Sequence, residues 1–316
     1  MQKLLRLRRA PELSFSVIVG SYQPPHGSSV TEVWACLLLD QGGNITTAQS
    51  FLAPNKLTIT DAGGRNISTP PRLGTPSEFR WVWSSGDNGR HNNTLTVDGD
   101  ASVIDFSFSL GGATGSGQQI SGSGGDGLRL QGSLSQRVPW DRAHPDSSGP
   151  EGWLEPVDGV LPTHYYVQTL ASKAHYKITP IFVSSGLPAG PSLIGGGFAH
   201  QEANWGGKFP VSWVWAEAIS RDGQTQLVLT AGEFEIAGVT TKQSIIAFRT
   251  PGHDVTFRNI DLEPIVFTHK PCGSAPSIIL EAINLNATRR LVIEMEAPLR
   301  TFSQPLEAPV STRQPL

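Results

Sequence analysis

Hydrophobic and polar positions alternate with a period of two along most of this chain, the repeat of a strand with one buried face. Leu13, Phe15, Val17 and Val19 open the series. Thr31–Asp40, Ile45–Leu52 and Lys56–Asp61 continue it, and Phe79–Trp83 places Phe79, Trp81 and Trp83 on one face. Leu95–Val97 and Ser102–Leu110 complete a meander in which Ile104, Phe106, Phe108 and Leu110 share a side. After residue 162 the pattern resumes in Thr163–Leu170, Ala174–Thr179, Val211–Ile219, Gln226–Ala231, Phe234–Val239, Gln243–Phe248, Asp254–Ile260, Ile265–His269, Ile278–Ile283 and Leu291–Met295. Asp222-Gly223 is a hairpin turn signal. No segment has the length and 3.6-residue period of a long helix.

Between the two series, residues 138–162 are rich in Pro, Gly, Asp and Ser, with Trp140 and Trp153 as the large apolar residues. Such a stretch reads as a connector packed by its tryptophans. The expectation is an all-β protein with two antiparallel barrel or sandwich domains, at residues 12–150 and 151–305. Composition agrees: 34 Gly and 24 Pro in 316 residues cut the chain into short pieces.

The most chemically dense stretch is residues 198–219. His200, Gln201, Glu202 and Asn204 come first, then a Gly206-Gly207 hinge, then a strand from Pro210. Val211, Trp213, Trp215, Glu217 and Ile219 share one face of that strand. Ser212, Val214, Ala216 and Ala218 form a small opposite face suited to a close second layer. A carboxylate beside two indoles sits at a rim or in a pocket, because burying it unpaired in a core is too costly.

Glu202-Ala203-Asn204-Trp205-Gly206, Phe209-Pro210 and Trp213-x-Trp215 resemble the signature of the tocopherol cyclase family. The Asn-Trp-Gly core is similar to that of carotenoid-hydratase-like proteins of double-lipocalin architecture. His164-Tyr165-Tyr166-Val167 resembles the aromatic strand that precedes the signature. Where the family pattern has Gln after the Trp strand, this chain has Glu217, so the same substrate does not follow. The resemblance implies two lipocalin-like halves, an apolar pocket and a cofactor-free cyclase of isoprenoid or polyene substrates. Ring closure would be proton-assisted or a (hetero-)Diels–Alder cycloaddition. An isoprenoid hydratase or isomerase, or a non-catalytic carrier, is the alternative on the same scaffold.

The candidate residues come from the mixture a small-molecule site needs, mostly apolar with a few placed polar groups. Glu217 and Glu202 are the candidate proton donors, with Asn204 and Lys173 as further catalytic groups. Trp83, His164, Tyr166, Gln168, Trp205, Trp213 and Trp215 are the candidate substrate-binding residues. Each has a structural alternative: Asn204 serving a turn, Trp205 and Trp213 filling a core. A desolvated Glu217 would keep its proton to higher pH and serve as a donor.

Other chemistries find little footing. The Gly122–Gly127 segment fits GxGxxG, but the residues after it, Leu128-Arg-Leu130, are strand-like, and the dinucleotide fingerprint must open a helix. His200-x-Glu202 is the one tight ligand-type pair, and with no HExxH or cysteine pairs no metal site is assigned. No cofactor motif is present. A net charge of −3 offers no footprint for nucleic acid, and no apolar run reaches the roughly 20 residues of a membrane-spanning helix. Cys36 and Cys272 form either a bridge between the halves or two buried thiols. Four N-glycosylation sequons, at Asn44, Asn66, Asn92 and Asn286, stand against a basic Met1–Leu13 stretch with no continuous apolar region. Location therefore stays open between cytoplasm and secretory pathway.

Overall fold

The structure is a computed structural model. It describes residues 13–22, 32–41, 44–52, 57–61, 63–66, 79–84, 92–109, 127–142, 149–154, 161, 163–182, 185–206, 210–236, 239–270, 277–284 and 289–296. Over these residues the chain is all-β, with no α-helix.

The first seven strands are β1 (Ser14–Tyr22), β2 (Glu32–Gln41), β3 (Asn44–Leu52), β4 (Leu57–Asp61), β5 (Phe79–Ser84), β6 (Asn92–Asp98) and β7 (Ala101–Ser109). They form one path, β1-β2-β3-β7-β6-β5-β4. Strands β8 (Gly127–Ser135), β9 (Thr163–Ile181) and β10 (Leu193–Gly206) extend the same sheet from β7. Its core draws on most of these strands at once: Leu37 and Leu39, Ala48, Phe106 and Phe108, Leu128 and Leu130, and Ile178, with Phe15, Trp81 and Tyr176 against them. The sheet therefore wraps around a shared interior. Among the described pairings no sheet closes into a barrel.

Strands β11 (Ser212–Ile219), β12 (Gln226–Ile236), β13 (Val239–Thr250) and β14 (His253–Arg258) make a second sheet. Strands β15 (Ile265–Lys270), β16 (Ser277–Asn284) and β17 (Arg289–Glu296) make a third. Alternation explains how they stack. Leu227 and Leu229 of β12, Ile246 and Phe248 of β13 and Phe257 meet Leu280 and Ala282 of the third sheet. Val228 and Ala247, which alternate with them, point the other way onto Tyr165, Val167 and Leu170 of β9. Strands β12 and β13 are thus buried on both faces, which accounts for the unbroken Leu-Val-Leu of β12. The small face read from the sequence is there: Val214, Ala216 and Ala218 pack on the core between the second and third sheets.

Two features differ from the sequence reading. Thr163–Leu170 and Ala174–Thr179 are one 19-residue strand, not two. Gln226–Ala231 and Phe234–Val239 likewise merge, into β12 as far as Ile236. The polar stretch before Gly206 is the second half of β10, and Gly195-Gly196-Gly197 lies within that strand. The glycine at 195 has a packing reason: a Cβ there would overlap the Tyr176 hydroxyl. Hydrogen bonding passes from β8 directly to β9 in register Gly127↔Ile181 to Ser135↔Lys173. Of the two connector tryptophans, Trp140 is buried against β9 and β12, whereas Trp153 is exposed. Cys36 is a free thiol whose pKa burial raises to about 11; Cys272 lies outside the described residues.

The β11–β12 hairpin turn docks on β10. Asp222 accepts from the Ser220 hydroxyl and the Gln224 N–H, which fixes the turn. Gly223 has φ +70°, and a Cβ there would stand 2.5 Å from the Phe198 ring. Gly223→Ala is expected to lower unfolding free energy by roughly 2–3 kcal/mol, combining left-handed strain with the clash. Urea denaturation checks this, and an unchanged midpoint would refute the docking role.

Candidate functional site

The site lies where β10 crosses the second sheet. His200, Glu202 and Asn204 alternate onto one face of β10. Opposite them β9 carries two extra residues: pairing steps from Ala199↔Ser172 to Gln201↔Thr169 to Glu202↔Val167. Such bulges bend a strand and re-aim its side chains. Here they accompany the convergence of His200 and Glu202 on Glu217 of β11.

Glu202 is well supplied with donors. The Tyr165 hydroxyl donates to its Oε2 at 2.5 Å, His200 Nε2 lies 3.2 Å from the same oxygen, and Asn204 Nδ2 donates to Oε1 at 3.3 Å. The Tyr165 phenol is held well above its ordinary pKa, by burial first and then by the charge of Glu202, so it remains a donor.

Glu217 has the opposite environment. Its carboxyl Oε1 lies 3.6 Å from His200 Nε2, and it shares a hydrogen bond with Glu202 and one with Trp215. Burial pushes it up to about 7; His200 holds it down in part, and the neighbouring Glu202 raises it again. The His200 and Glu202 side chains are only 3% and 9% exposed, whereas that of Glu217 is 32% exposed. Glu217 thus keeps its proton to near neutral pH at the solvent edge, beside a Glu202 carboxyl held by Tyr165.

A hydrogen-bonded carboxyl pair is too close for a glycosidase, whose retaining members separate the two groups by about 5 Å. Donor atoms of His200, Glu202 and Glu217 lie within 4.8 Å of one another, a spacing compatible with a divalent cation. His200 Nδ1, however, is buried without a partner. Metal-bound histidines almost always donate that second N–H to a neighbour, so the shell around this imidazole does not fit a metal ligand.

Of the residues read from the sequence, Glu217, Glu202 and Asn204 are brought together. Trp213 and Trp215 share the face of β11 that carries Glu217, are 62% and 43% exposed, and form an open indole rim beside it. His164, Tyr166, Gln168 and Trp205 do not share the carboxyl face. Alternation turns His164 and Tyr166 to the side opposite Tyr165. His164 stacks on Trp205 at 5.3 Å, and its Nδ1 lies 2.9 Å from Glu151. Tyr166 is buried against Phe79 and Val97, its hydroxyl accepting from Arg137. Gln168 is buried, its Nε2 reaching the Gly99 carbonyl at 3.5 Å. Lys173 is exposed on β9, paired in register with Phe198 and Ser135. Trp83 lies on β5 opposite Leu57 and Asn93, and its side chain is outside the described residues.

The sequence reading missed Tyr165 and Glu151. Tyr165 was visible as one of an adjacent tyrosine pair, but which of the two faces Glu202 depends on the strand partner. Glu151 sits in the Pro/Gly-rich connector, where no periodicity marks an inward residue. It is 4% exposed and accepts the Tyr165 backbone N–H, tying the connector to the strand that carries the phenol. Tyr165→Phe is expected to cost about 1.5–3 kcal/mol, the range for a hydrogen bond to a charged group. Chemical denaturation measures it; a difference below about 0.5 kcal/mol would remove Tyr165 from the site. Comparisons of the chain with protein-family models, with curated proteins and with solved structures return no match.

Proposed function

We propose that this protein is an acid–base enzyme that closes a ring on an apolar small molecule, isoprenoid or polyene in kind, with Glu217 as the proton donor. The observation that carries the reading is the Glu217–Glu202 carboxyl pair at an indole rim, with Glu217 protonated near neutral pH and Glu202 held by the Tyr165 hydroxyl. Protonation of an olefin or carbonyl by Glu217 creates a cation or an activated electrophile. The indole faces of Trp213 and Trp215 can hold the apolar substrate and stabilise positive charge. Glu202 and His200 then return a proton to Glu217 or remove one from the product. This supports the proton-assisted route more than a cycloaddition, which needs no titrating group. The resemblance to tocopherol cyclases points to the same chemistry, and the double-lipocalin arrangement is part of this proposal.

The test is an untargeted one. Extract of the source organism lacking the gene is incubated with purified protein and compared by mass spectrometry. A compound converted to an isomer of equal mass supports the proposal. Gain of a water makes the protein a hydratase, and a compound that co-purifies unchanged makes it a carrier. Either result sinks the cyclase assignment.

A further inference from the structure

Away from the carboxyl site, the interior of the large sheet holds two polar donors with no acceptor among the described residues. Trp81 Nε1 and Asn93 Nδ2 are both buried without a hydrogen-bond partner. Asn93 is 1% exposed. Its orientation is fixed, because its Oδ1 accepts the Ser107 backbone N–H at 2.7 Å; the NH2 group is therefore the one left over. In the register of β5 and β6, Trp81 pairs with Leu95 and Trp83 with Asn93. Trp81 and Asn93 are thus diagonal neighbours on one face, about 7–8 Å apart at Cα. That face is apolar: Trp81 and Leu95 pack with Phe79 and Val97, and Tyr166 and Ala203 cover them from β9 and β10.

A buried unpaired donor costs about 1–3 kcal/mol, so two on one face of an apolar layer call for an acceptor. We propose that this layer is a second small-molecule site, which takes a neutral, apolar molecule through a carbonyl oxygen accepting from Trp81 Nε1 and Asn93 Nδ2. The donors are neutral, so they match a ketone, aldehyde, ester or amide oxygen. A carboxylate would bring an uncompensated charge into the layer. The site lies on the face of the β9–β10 pair opposite to Glu202, and the inference does not depend on the reading of Glu217.

The probe is Prodan, a fluorescent naphthyl ketone whose emission responds to hydrogen bonding at its carbonyl. Its carbonyl-free parent, 2-dimethylaminonaphthalene, is the control. The full chain is titrated with each, as wild type and as Trp81→Phe, Asn93→Asp and Glu217→Gln. Trp81→Phe keeps a ring in place and removes only the N–H, so it decides the matter even where Asn93→Asp fails to fold. The expected result is saturable Prodan binding to wild type, about tenfold weaker in Trp81→Phe and unchanged in Glu217→Gln. The parent compound should bind wild type about tenfold more weakly than Prodan, and lose nothing in Trp81→Phe. Absence of saturable binding, or equal Prodan affinity in wild type and Trp81→Phe, overturns the proposal and leaves bound water as the acceptor of both donors.

Discussion

Glu217→Gln is expected to lower turnover by about 10²–10⁴-fold, the range that a general acid contributes. Gln keeps the shape of the side chain and a hydrogen-bonding group but has no proton to transfer. The loss should fall on kcat with KM little changed, because the indole rim still holds the substrate. In the wild type, turnover limited by protonation should fall as pH rises through about 7, where Glu217 gives up its proton. The residual rate of the variant should show no such limb. A variant that retains wild-type kcat, or the same pH limb, would assign the proton to another group.

The same carboxyl leaves a signature in stability. Its folded pKa is raised from 4.5 to about 7. The folded chain therefore holds a proton that the unfolded chain has released between those values. Its stabilising contribution is complete below about 4.5 and is lost as pH rises through about 7. Melting temperature should decline more across that window in the wild type than in Glu217→Gln. This readout needs no substrate, so it separates an error about the carboxyl environment from an error about the reaction.

Strand faces were the most legible part of the sequence, because a period of two depends only on neighbouring residues. The small face of Val214, Ala216 and Ala218, and the hairpin at Asp222-Gly223, both arise from local chemistry. The extent of β9 was not legible, since a strand that absorbs two extra residues reads as two strands with a break. The site was half legible for a related reason. Glu202, Asn204 and Glu217 stood out as polar groups on patterned strands. Sorting Tyr165 from Tyr166, or separating His164 and Trp205 from the carboxyls, needs the strand pairing across the sheet. Glu151 and Arg249 act between segments distant in sequence, and nothing in their immediate neighbours announces it.

Arg249→Met is expected to destabilise the fold by about 3–5 kcal/mol, because each buried acceptor left without its donor costs about 1–3 kcal/mol. Arg249 is 2% exposed. It donates to the Val255 carbonyl at 2.6 Å, to the Trp140 carbonyl at 3.0 Å and to Thr256 Oγ1 at 3.1 Å. Its Nε lies 2.6 Å from Asp254, and its guanidinium sits over the Trp140 ring at 5.7 Å. One side chain thus joins the connector to β13 and β14. Met fills much of the volume but leaves two carbonyls without these donors, while Asp254, 47% exposed, turns to water. On a cooperative transition of a chain this long the melting temperature should drop by about 5–8 °C. Arg249→Lys should recover only a small part, since an ammonium cannot reach the carbonyls, the hydroxyl and the carboxylate in the geometry of a planar fork. The loss should also reach the site. Trp140, Val228 and Ala247 form the layer that holds Tyr165 and Val167 against the second sheet, and Tyr165 carries the hydroxyl that fixes Glu202. Loosening that layer should weaken the carboxyl pair and pull the pH limb of turnover below about 7, as solvent reaches Glu217. A melting point within 1–2 °C of wild type would show that the guanidinium is dispensable to the layer. An unmoved pH limb in a destabilised variant would show that the layer and the carboxyl pair are independent.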